Sequence, residues 1–463
     1  MKHIGKFTIT GMLGKGGMGK VLKVAYPVTG KVAALKILSP TPLLDRMVGR
    51  KRLERIFTQE AVTLARIHHP HVVDILDFDY HDGRPFYLMD FHSDNLAGVI
   101  GEGHGNEPSR PMGIETTVRY MTQALQGLAC LHFSGIVHRD MKPANLLLTL
   151  SDRIKISDFG LSKLRGETLT HQDQVRIGSP YYAAPEQEAD PDRVDARADL
   201  YAMGMTLFRL LTGTLPEGKA PAASSLNPDL DAHWDAFLAQ AMAPNPRDRF
   251  QTAPEMEQAL TALARDWARR KENICTAPEL FEDAPPEPVP LPHTPSPVPR
   301  KISKNQARNE LALDELLRPR QHGPQLAIAL SDHRILTPAT GLVWERGGTP
   351  FPLSWARAKA HVQALNLSRP GQGWHLPTLA ELVTLLVPVP RGTDHCLPPI
   401  WDSVQTPLWS ADRCSFASAW YVNLTMGFAQ ANDMSARYYV KAVRPARAEE
   451  LARAATDQTN FKG

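Results

Sequence analysis

Residues 276 to 300 read TAPELFEDAPPEPVPLPHTPSPVPR and hold nine of the chain's 39 prolines. Proline fixes φ and removes an amide donor, so neither a helix nor a sheet interior can run through such a stretch. An extended, polyproline-like linker is predicted there, taken as residues 265–325 with its flanks. A chain of 463 residues is also too long for one ordinary core. The run therefore divides the chain into a body before it and a body after it. Just beyond it, NQARNELALDELLRP places leucines at 311, 313, 316 and 317, enough for one short amphipathic helix.

Composition narrows the partners. Hydrophobic content of 43% and charged content of 22% are those of a globular protein. A formal charge of +3 gives no basis for binding nucleic acid or a membrane surface. No apolar run is long enough to form a membrane span, and the opening MKHIGKFTITG lacks a signal-peptide core, so a cytoplasmic location is expected. The four cysteines, Cys130, Cys275, Cys396 and Cys414, form no CxxC and no zinc-site spacing. All four are read as free thiols.

The N-terminal body opens with strand and turn signals and becomes mostly helical. LGKGGMGKV, residues 13 to 21, sets Gly14, Gly16 and Gly19 in G-x-G-x-x-G spacing. By itself that is a weak signal, since a tight hairpin reads the same way. Glycines do let a backbone approach polyphosphate and point its amides inward. Lys36 follows in the apolar run VAALKIL, where an isolated lysine is costly unless paired. A partner is available in RIFTQEAVTLARIHHP, where Glu60 shares a helix face with Phe57, Ala61, Leu64 and Ile67.

The densest chemistry lies in IVHRDMKPANLLL, residues 136 to 148, a charged loop between two apolar anchors. Asn145, with Asp158 in the later ISDFG, supplies oxygen donors suited to Mg²⁺, which needs few protein ligands. Asp140 can orient a hydroxyl and accept its proton, while Lys142 can balance charge on a phosphoryl group in flight. The anchors would hold the loop rigid, and phosphoryl transfer depends on positioning above all. By contrast GEGHGNEPSRPMG, 101 to 113, reads as a solvated loop with an inert histidine.

Taken in order, these motifs resemble a eukaryotic-type protein kinase domain, of the serine/threonine kind found in bacteria, over residues 7–264. The resemblance rests on the Gly-rich loop, Ala34-Leu35-Lys36, Glu60, His138-Arg139-Asp140, Asn145, Asp158-Phe159-Gly160 and Ala184-Pro185-Glu186. Asp199 in ADLYAMG and Arg249 in NPRDRF extend it. It implies an α+β, bilobal fold with a β-rich N-lobe and a helical C-lobe. It implies that Gly14, Lys15, Gly16, Gly17, Met18 and Gly19 cover the phosphates of ATP, with Lys36 on the α and β phosphates and Glu60 holding Lys36. Leu13, Val21, Ala34 and Leu147 would enclose the adenine, Met89 would be the gatekeeper, and the backbone from Asp90 to His92 would meet the base edge. Asp140, Lys142, Asn145 and Asp158 would carry catalysis, the last two on Mg²⁺. Arg249 would pair with Glu186. Lys142 and GSPYYAAPE favour serine and threonine hydroxyls of protein substrates. Asp90 stands where glutamate is commoner, Ser179 where threonine is usual, and the stretch from Lys36 to Glu60 is a few residues longer than the family's. A phosphate on Thr168 or Thr170 could pair with Arg139 and order the activation segment.

Residues 326–446 carry six of the eight tryptophans, read first as the core of a small mixed α/β domain. TGLVWER, GWHLPTLAELVTLL, PLWSA, SAWYVNL and VKAVRP resemble the Lcl C-terminal-like domain, of unknown biochemical role and related in fold to C-type lectins. His375 stands where that family has arginine. A recognition module with an unidentified ligand is expected, folding independently on its tether, with 447–463 as a tail. For the whole chain the resemblance implies an ATP- and Mg²⁺-dependent serine/threonine kinase in bacterial signalling, capable of autophosphorylation. The alternative is a nucleotide-binding pseudokinase or scaffold, which commonly lacks one of Lys36, Asp140, Asn145 or Asp158.

Overall fold

Alternate residues of VAALKIL meet different surroundings, as the two-residue period of a strand requires. Ala33, Leu35 and Ile37 pack with Phe7, Val24, Phe86 and Leu88 on one face of a sheet. Leu38 lies on the other face, with Tyr87 and the apolar stripe of a helix. The sheet is antiparallel, built from β1 (His3–Ile4), β2 (Phe7–Lys15), β3 (Gly19–Ala25), β4 (Val32–Leu38), β5 (Ile75–His81) and β6 (Arg84–Asp90), in the order β1-β2-β3-β4-β6-β5. Between β4 and β5 come α1 (Pro42–Val48) and α2 (Arg50–Leu64). Buried Leu53, Ile56, Phe57, Glu60, Ala61 and Leu64 follow the helical period along α2. The extra residues before Glu60 form α1, capped by Thr41, whose side chain accepts from Leu44 N. Gly49, at φ 84°, turns the chain between the two helices, a conformation that favours glycine.

This computed structural model describes the chain from residue 2, leaving out 104, 106, 159–180, 191–192, 217–219, 276–292, 323–326, 388–399, 402–404 and 453–463, and the side chains of 271–275. The described residues fall into two units, 1–270 and 271–463. In the first, the helical lobe comprises α3 (Leu96–Ile100), α4 (Ile114–Phe133), α5 (Pro185–Ala189), α6 (Arg197–Thr212), α7 (Ala223–Leu226), α8 (Ala232–Ala241) and α9 (Ala253–Cys275). A small sheet of β7 (Asp94–Asn95), β8 (Leu146–Leu148) and β9 (Ile154–Ile156) lies beside it. From Ala198 to Leu211, α6 is buried at every position but Tyr201, which makes it the centre of the lobe.

Two expectations for this unit change. Helix α9 continues past 264 to Cys275, and Trp267 is buried there with Nε1 donating to Asp229 O at 3.0 Å. The stretch 101–113 is not simply solvated. Ser109, Arg110 and Met112 are buried, and Arg110 donates from Nε and Nη2 to Val99 O at 3.1 and 2.9 Å. A guanidinium can satisfy several carbonyls at once, which is how so polar a loop packs. His104 lies outside the described residues.

The second unit begins earlier than expected. Ser296 O accepts from Thr378 Oγ1 at 2.8 Å, Arg300 N donates to Asp412 Oδ1 at 2.7 Å, and Ile302 N donates to Arg413 O at 2.9 Å. Prolines cannot donate, but the carbonyls and the few amides between them can still dock an extended segment. The short helix α10 (Lys304–Glu310) ends before the leucines expected to form it. Leu311, Leu313 and Leu317 are buried in the turns that follow, within the same core as Trp344, Trp401 and Trp420. Of the expected linker 265–325, residues 293–320 therefore belong to the folded C-terminal unit.

That unit holds a sheet of β10 (Ile328–Ser331), β11 (Arg334–Thr337), β12 (Leu342–Glu345) and β18 (Val443–Pro445), and another of β14 (Leu408–Arg413), β15 (Ser418–Asn423) and β16 (Phe428–Asp433). The pair β13 (Leu353–Ser354) and β17 (Arg437–Tyr438), with helices α11 (Trp355–Ser368) and α12 (Leu379–Val383), completes it. Trp344, Trp374, Trp401, Trp409 and Trp420 are buried, as a tryptophan core requires. The indole N–H of Trp420 finds Ile302 O at 2.9 Å and that of Trp409 finds Leu353 O at 2.7 Å. Cys130 and Cys414 are free thiols, whereas the side chains of Cys275 and Cys396 lie outside the described residues.

One ion pair gives this unit a pH signature. Arg444, 2% exposed, donates to Glu450 from Nη1 at 2.8 Å and from Nη2 at 2.5 Å. Those bonds, aided by Arg447 N, outweigh burial and hold the Glu450 carboxyl at about 2. A depressed folded-state pKa means stability that is present above the unfolded value and lost as pH falls through the folded one. Glu450→Gln should therefore lower the urea midpoint of the tryptophan fluorescence transition at pH 6. The gap from wild type should narrow steadily between about pH 4.5 and pH 2. An equal gap at both ends of that window would remove the pair as the cause.

Candidate active site

One row of the sheet carries half of the site. Gly14 on β2 faces Val21 on β3, Val21 faces Lys36 on β4, and Lys36 faces Tyr87 on β6. Cross-strand neighbours project from the same face, here the face covered by α2. Lys36 is buried, and its Nζ donates to Glu60 Oε1 at 3.1 Å and to Asp158 Oδ1 at 3.1 Å. Burial pulls the lysine pKa down, but Glu60, Tyr87 and Asp158 outweigh it, so the pKa lies well above its ordinary value. Lys36 in turn lowers the pKa of Asp158 against the effect of burial. Both groups are charged at neutral pH. The added helix α1 does not disturb the pair.

Helix α6 builds the other half from below. Asp199, fully buried, accepts from His138 N at 2.8 Å and from Arg139 N at 2.6 Å. His138 Nε2 lies 3.0 Å from Ser157 O and must donate there, which leaves Nδ1 to accept from Asp140 N at 3.2 Å. Arg139 and Asp158 both take positive φ, 64° and 61°, and non-glycine residues hold such angles only where their surroundings over-determine them. Asp140 is 9% exposed, and its Oδ2 accepts from Lys142 Nζ at 2.9 Å and Asn145 Nδ2 at 3.2 Å. Asn145 Nδ2 also donates to Asp140 O at 2.7 Å, which turns its amide oxygen away from the aspartate. That oxygen and the half-exposed Asp158 carboxylate are hard donors of the kind that could hold a cation completing its shell with water and phosphate. Among the described residues, no group of three His, Cys, Asp or Glu side chains could hold a metal unaided.

The phosphate-loop candidates sit at the turn from β2 to β3. Gly16 N donates to Gly19 O at 2.9 Å, and a Cβ at Gly19 would stand 2.2 Å from Ile37 O, so only glycine fits. Met18 behaves differently from its neighbours. Its side chain is buried with Leu38, Leu44 and Phe57, serving the lobe's core. Ala34 faces Met89 across β4 and β6, and Leu147 faces Asn95 across β8 and β7. Leu13 is exposed, Lys15 ends β2 opposite Lys20 on β3, and Gly17 lies in the turn that follows. Asp90 ends β6, and His92 follows with its pKa lowered by burial, partly offset by Asp90.

A further ion pair braces α5. Arg249 Nη1 and Nη2 reach Glu186 Oε1 and Oε2 at 2.6 and 2.8 Å, and the guanidinium also donates to Ala243 O and Pro244 O. The arginine side chain is 0% exposed and the glutamate 21%. Removing one partner of such a pair strands the other, so Arg249→Ala should cost about 3–5 kcal/mol in chemical denaturation. A loss under about 1 kcal/mol would mean that the pair is replaceable by solvent. Tyr182, earlier in the same segment, donates to Glu102. Ser179, Thr168 and Thr170 lie outside the described residues. Arg139 Nη2 reaches Val194 O at 3.4 Å.

Tyr87 was not singled out from the sequence. Its hydroxyl donates to Glu60 Oε1 at 2.8 Å. Strand alternation alone would put it on the face of Met89, but its pairing with Glu60 follows only from the register that sets it opposite Lys36. In the second unit His375 Nε2 lies 2.9 Å from Glu381 Oε1, inside the capping box that starts α12. The contact ties α12 to its flank and makes no catalytic constellation.

Residues 7–281 match the protein kinase domain family and residues 335–444 the Lcl C-terminal domain family. The chain is 31% identical over 293 residues to the serine/threonine-protein kinase pkn3 of Myxococcus xanthus, with 57% of this chain and 51% of that protein covered. It is 31% identical over 314 residues to the serine/threonine-protein kinase PknH of Mycobacterium tuberculosis, covering 63% and 47%. The chain thus spans about half the length of these relatives. The crystal structure of the M. tuberculosis PknI kinase domain aligns at 30% identity and a TM-score of 0.44, over 57% of this chain and 98% of that one.

Proposed function

Because the chain belongs to the protein kinase domain family, we propose that it transfers the γ-phosphate of ATP to serine and threonine hydroxyls of proteins. The observation that carries this is the meeting of Lys36, Glu60 and Asp158, brought together from three separate motifs with both contacts at 3.1 Å. Lys36 presents a fixed positive charge for nucleotide phosphates, and Glu60 keeps it aimed. Asp140, held by Asn145 and Lys142, orients the incoming hydroxyl and takes its proton. Lys142 is placed to balance charge on the transferred group. Asn145 and Asp158 would hold a divalent cation, proposed as Mg²⁺, which when bound neutralises phosphate charge. The intact set of Lys36, Asp140, Asn145 and Asp158 favours turnover over a nucleotide-binding scaffold.

The C-terminal unit is proposed as a recognition module for a ligand or protein substrate, in a signalling role. No helix among the described residues is long and apolar enough to cross a membrane. We place the reaction in the cytoplasm, where its nucleotide substrate is found. Activation through Thr168 or Thr170 remains part of the proposal. Incubating the full chain with γ-labelled ATP, Mg²⁺ and a generic basic protein, then mapping phosphosites, tests the reading. Label on serine or threonine supports it. Nucleotide binding with no label on either protein would leave the scaffold in its place.

A further inference from the structure

The two oxygens of a buried carboxylate need donors, and Glu60 has found one that the phosphate clamp does not require. Oε1 accepts from Lys36 Nζ at 3.1 Å and also from the Tyr87 hydroxyl at 2.8 Å. Lys36 has further claims on it. Asp158 already takes it at 3.1 Å, and nucleotide phosphates would draw it again. Tyr87 has no such competition. It sits in mid-strand, paired with Lys36 on one side and Phe78 on the other, so its position is fixed by two hydrogen-bonded neighbours. It is 2% exposed, and its ring lies 5.1 Å from that of Phe57, one turn before Glu60 on α2. The same helix face therefore meets Tyr87 twice, through an apolar ring contact and through a charged hydrogen bond. A buried hydroxyl without a partner would be costly, and Glu60 is that partner.

We infer that Tyr87 is a positioning residue for the phosphate clamp, fixing Glu60 and α2 where Lys36 needs its counter-ion even after Lys36 has turned toward a nucleotide. The inference rests on the kinase assignment above and deepens it by adding a strand residue to the machinery. Tyrosine alone among the aromatic side chains offers the ring for Phe57 and a hydroxyl at the reach of Glu60.

The test separates phosphate recognition from adenine recognition. Full-length wild type, Tyr87→Phe and Tyr87→Met are titrated with Mg-ATP and with adenosine. Both variants should weaken Mg-ATP binding about three- to tenfold, the range expected for one hydrogen bond, and leave adenosine within about twofold. In a Glu60→Ala background Tyr87→Phe should add less than about twofold, since its target is gone. Unchanged Mg-ATP affinity, equal weakening of both ligands, or the same loss in both backgrounds would each overturn the inference. If the wild type binds Mg-ATP but transfers no phosphate, the kinase assignment fails, while the difference between the two ligands still decides the role of Tyr87.

Discussion

Asp140→Asn should lower kcat for phosphoryl transfer by about 10²–10⁴-fold, the usual cost of losing a positioned base. The substitution keeps size and most hydrogen bonds. Asp140 N still donates to His138 Nδ1, and an amide oxygen can still accept from Lys142 or Asn145. What disappears is the ability to accept a proton and the negative charge that Lys142 answers. KM for ATP should change only a fewfold, because the nucleotide contacts proposed above run through the sheet row and Asp158. Folding should be nearly unaffected, since the loop hangs from Asp199 through the amides of His138 and Arg139. Steady-state kinetics and a thermal melt on the same preparation check this. A kcat within tenfold of wild type would place the proton acceptor elsewhere. A lowered kcat with a collapsed melting transition would make the effect structural.

Much of this candidate site was legible because it is confined to short motifs. His138, Asp140, Lys142 and Asn145 lie within eight positions, so their juxtaposition is almost local. Lys36 and Glu60 were legible for a different reason: each breaks an apolar period, and burying one charge calls for the other. Tyr87 broke no period. Tyrosine is an ordinary strand residue, and only the register that sets it opposite Lys36 reveals its hydroxyl as a ligand of Glu60. The register is a long-range fact that sequence spacing does not carry. The same limit explains segment 293–320. Proline content argues locally against helix and sheet, and residues 294–300 are in neither, but that does not preclude docking. Whether an extended strip is free or covered depends on the surface it meets, here Thr378, Asp412 and Arg413, more than 80 residues away in sequence.

A fragment of residues 326–446 should fail to fold, whereas residues 293–452 should unfold cooperatively. The shorter piece lacks Ile302, Ala307, Leu311, Leu313 and Leu317, all buried in the core that contains Trp344, Trp401 and Trp420. At about 1.5–3 kcal/mol for each of the four larger side chains, their loss rivals the whole stability of a typical domain, about 5–15 kcal/mol. Polar losses add to this. Trp420 Nε1 loses its acceptor at Ile302 O, Asp412 loses Arg300 N, and Ala429 N loses Leu317 O. Asp412 is already hard to keep ionised, since burial raises its pKa and the amides of Arg300 and Leu379 oppose that rise. Without Arg300 it is left with less to hold its charge. The cut at 446 also removes Glu450 from Arg444, a guanidinium that would then be buried beside Trp374 with its bidentate partner gone. Urea unfolding followed by circular dichroism distinguishes the fragments. A cooperative transition for 326–446 at the same midpoint as 293–452 would show that the proline-rich strip and the turns after it only decorate the domain. Failure of the shorter fragment, with the longer one intact, would show that the C-terminal unit needs residues outside 326–446 to fold.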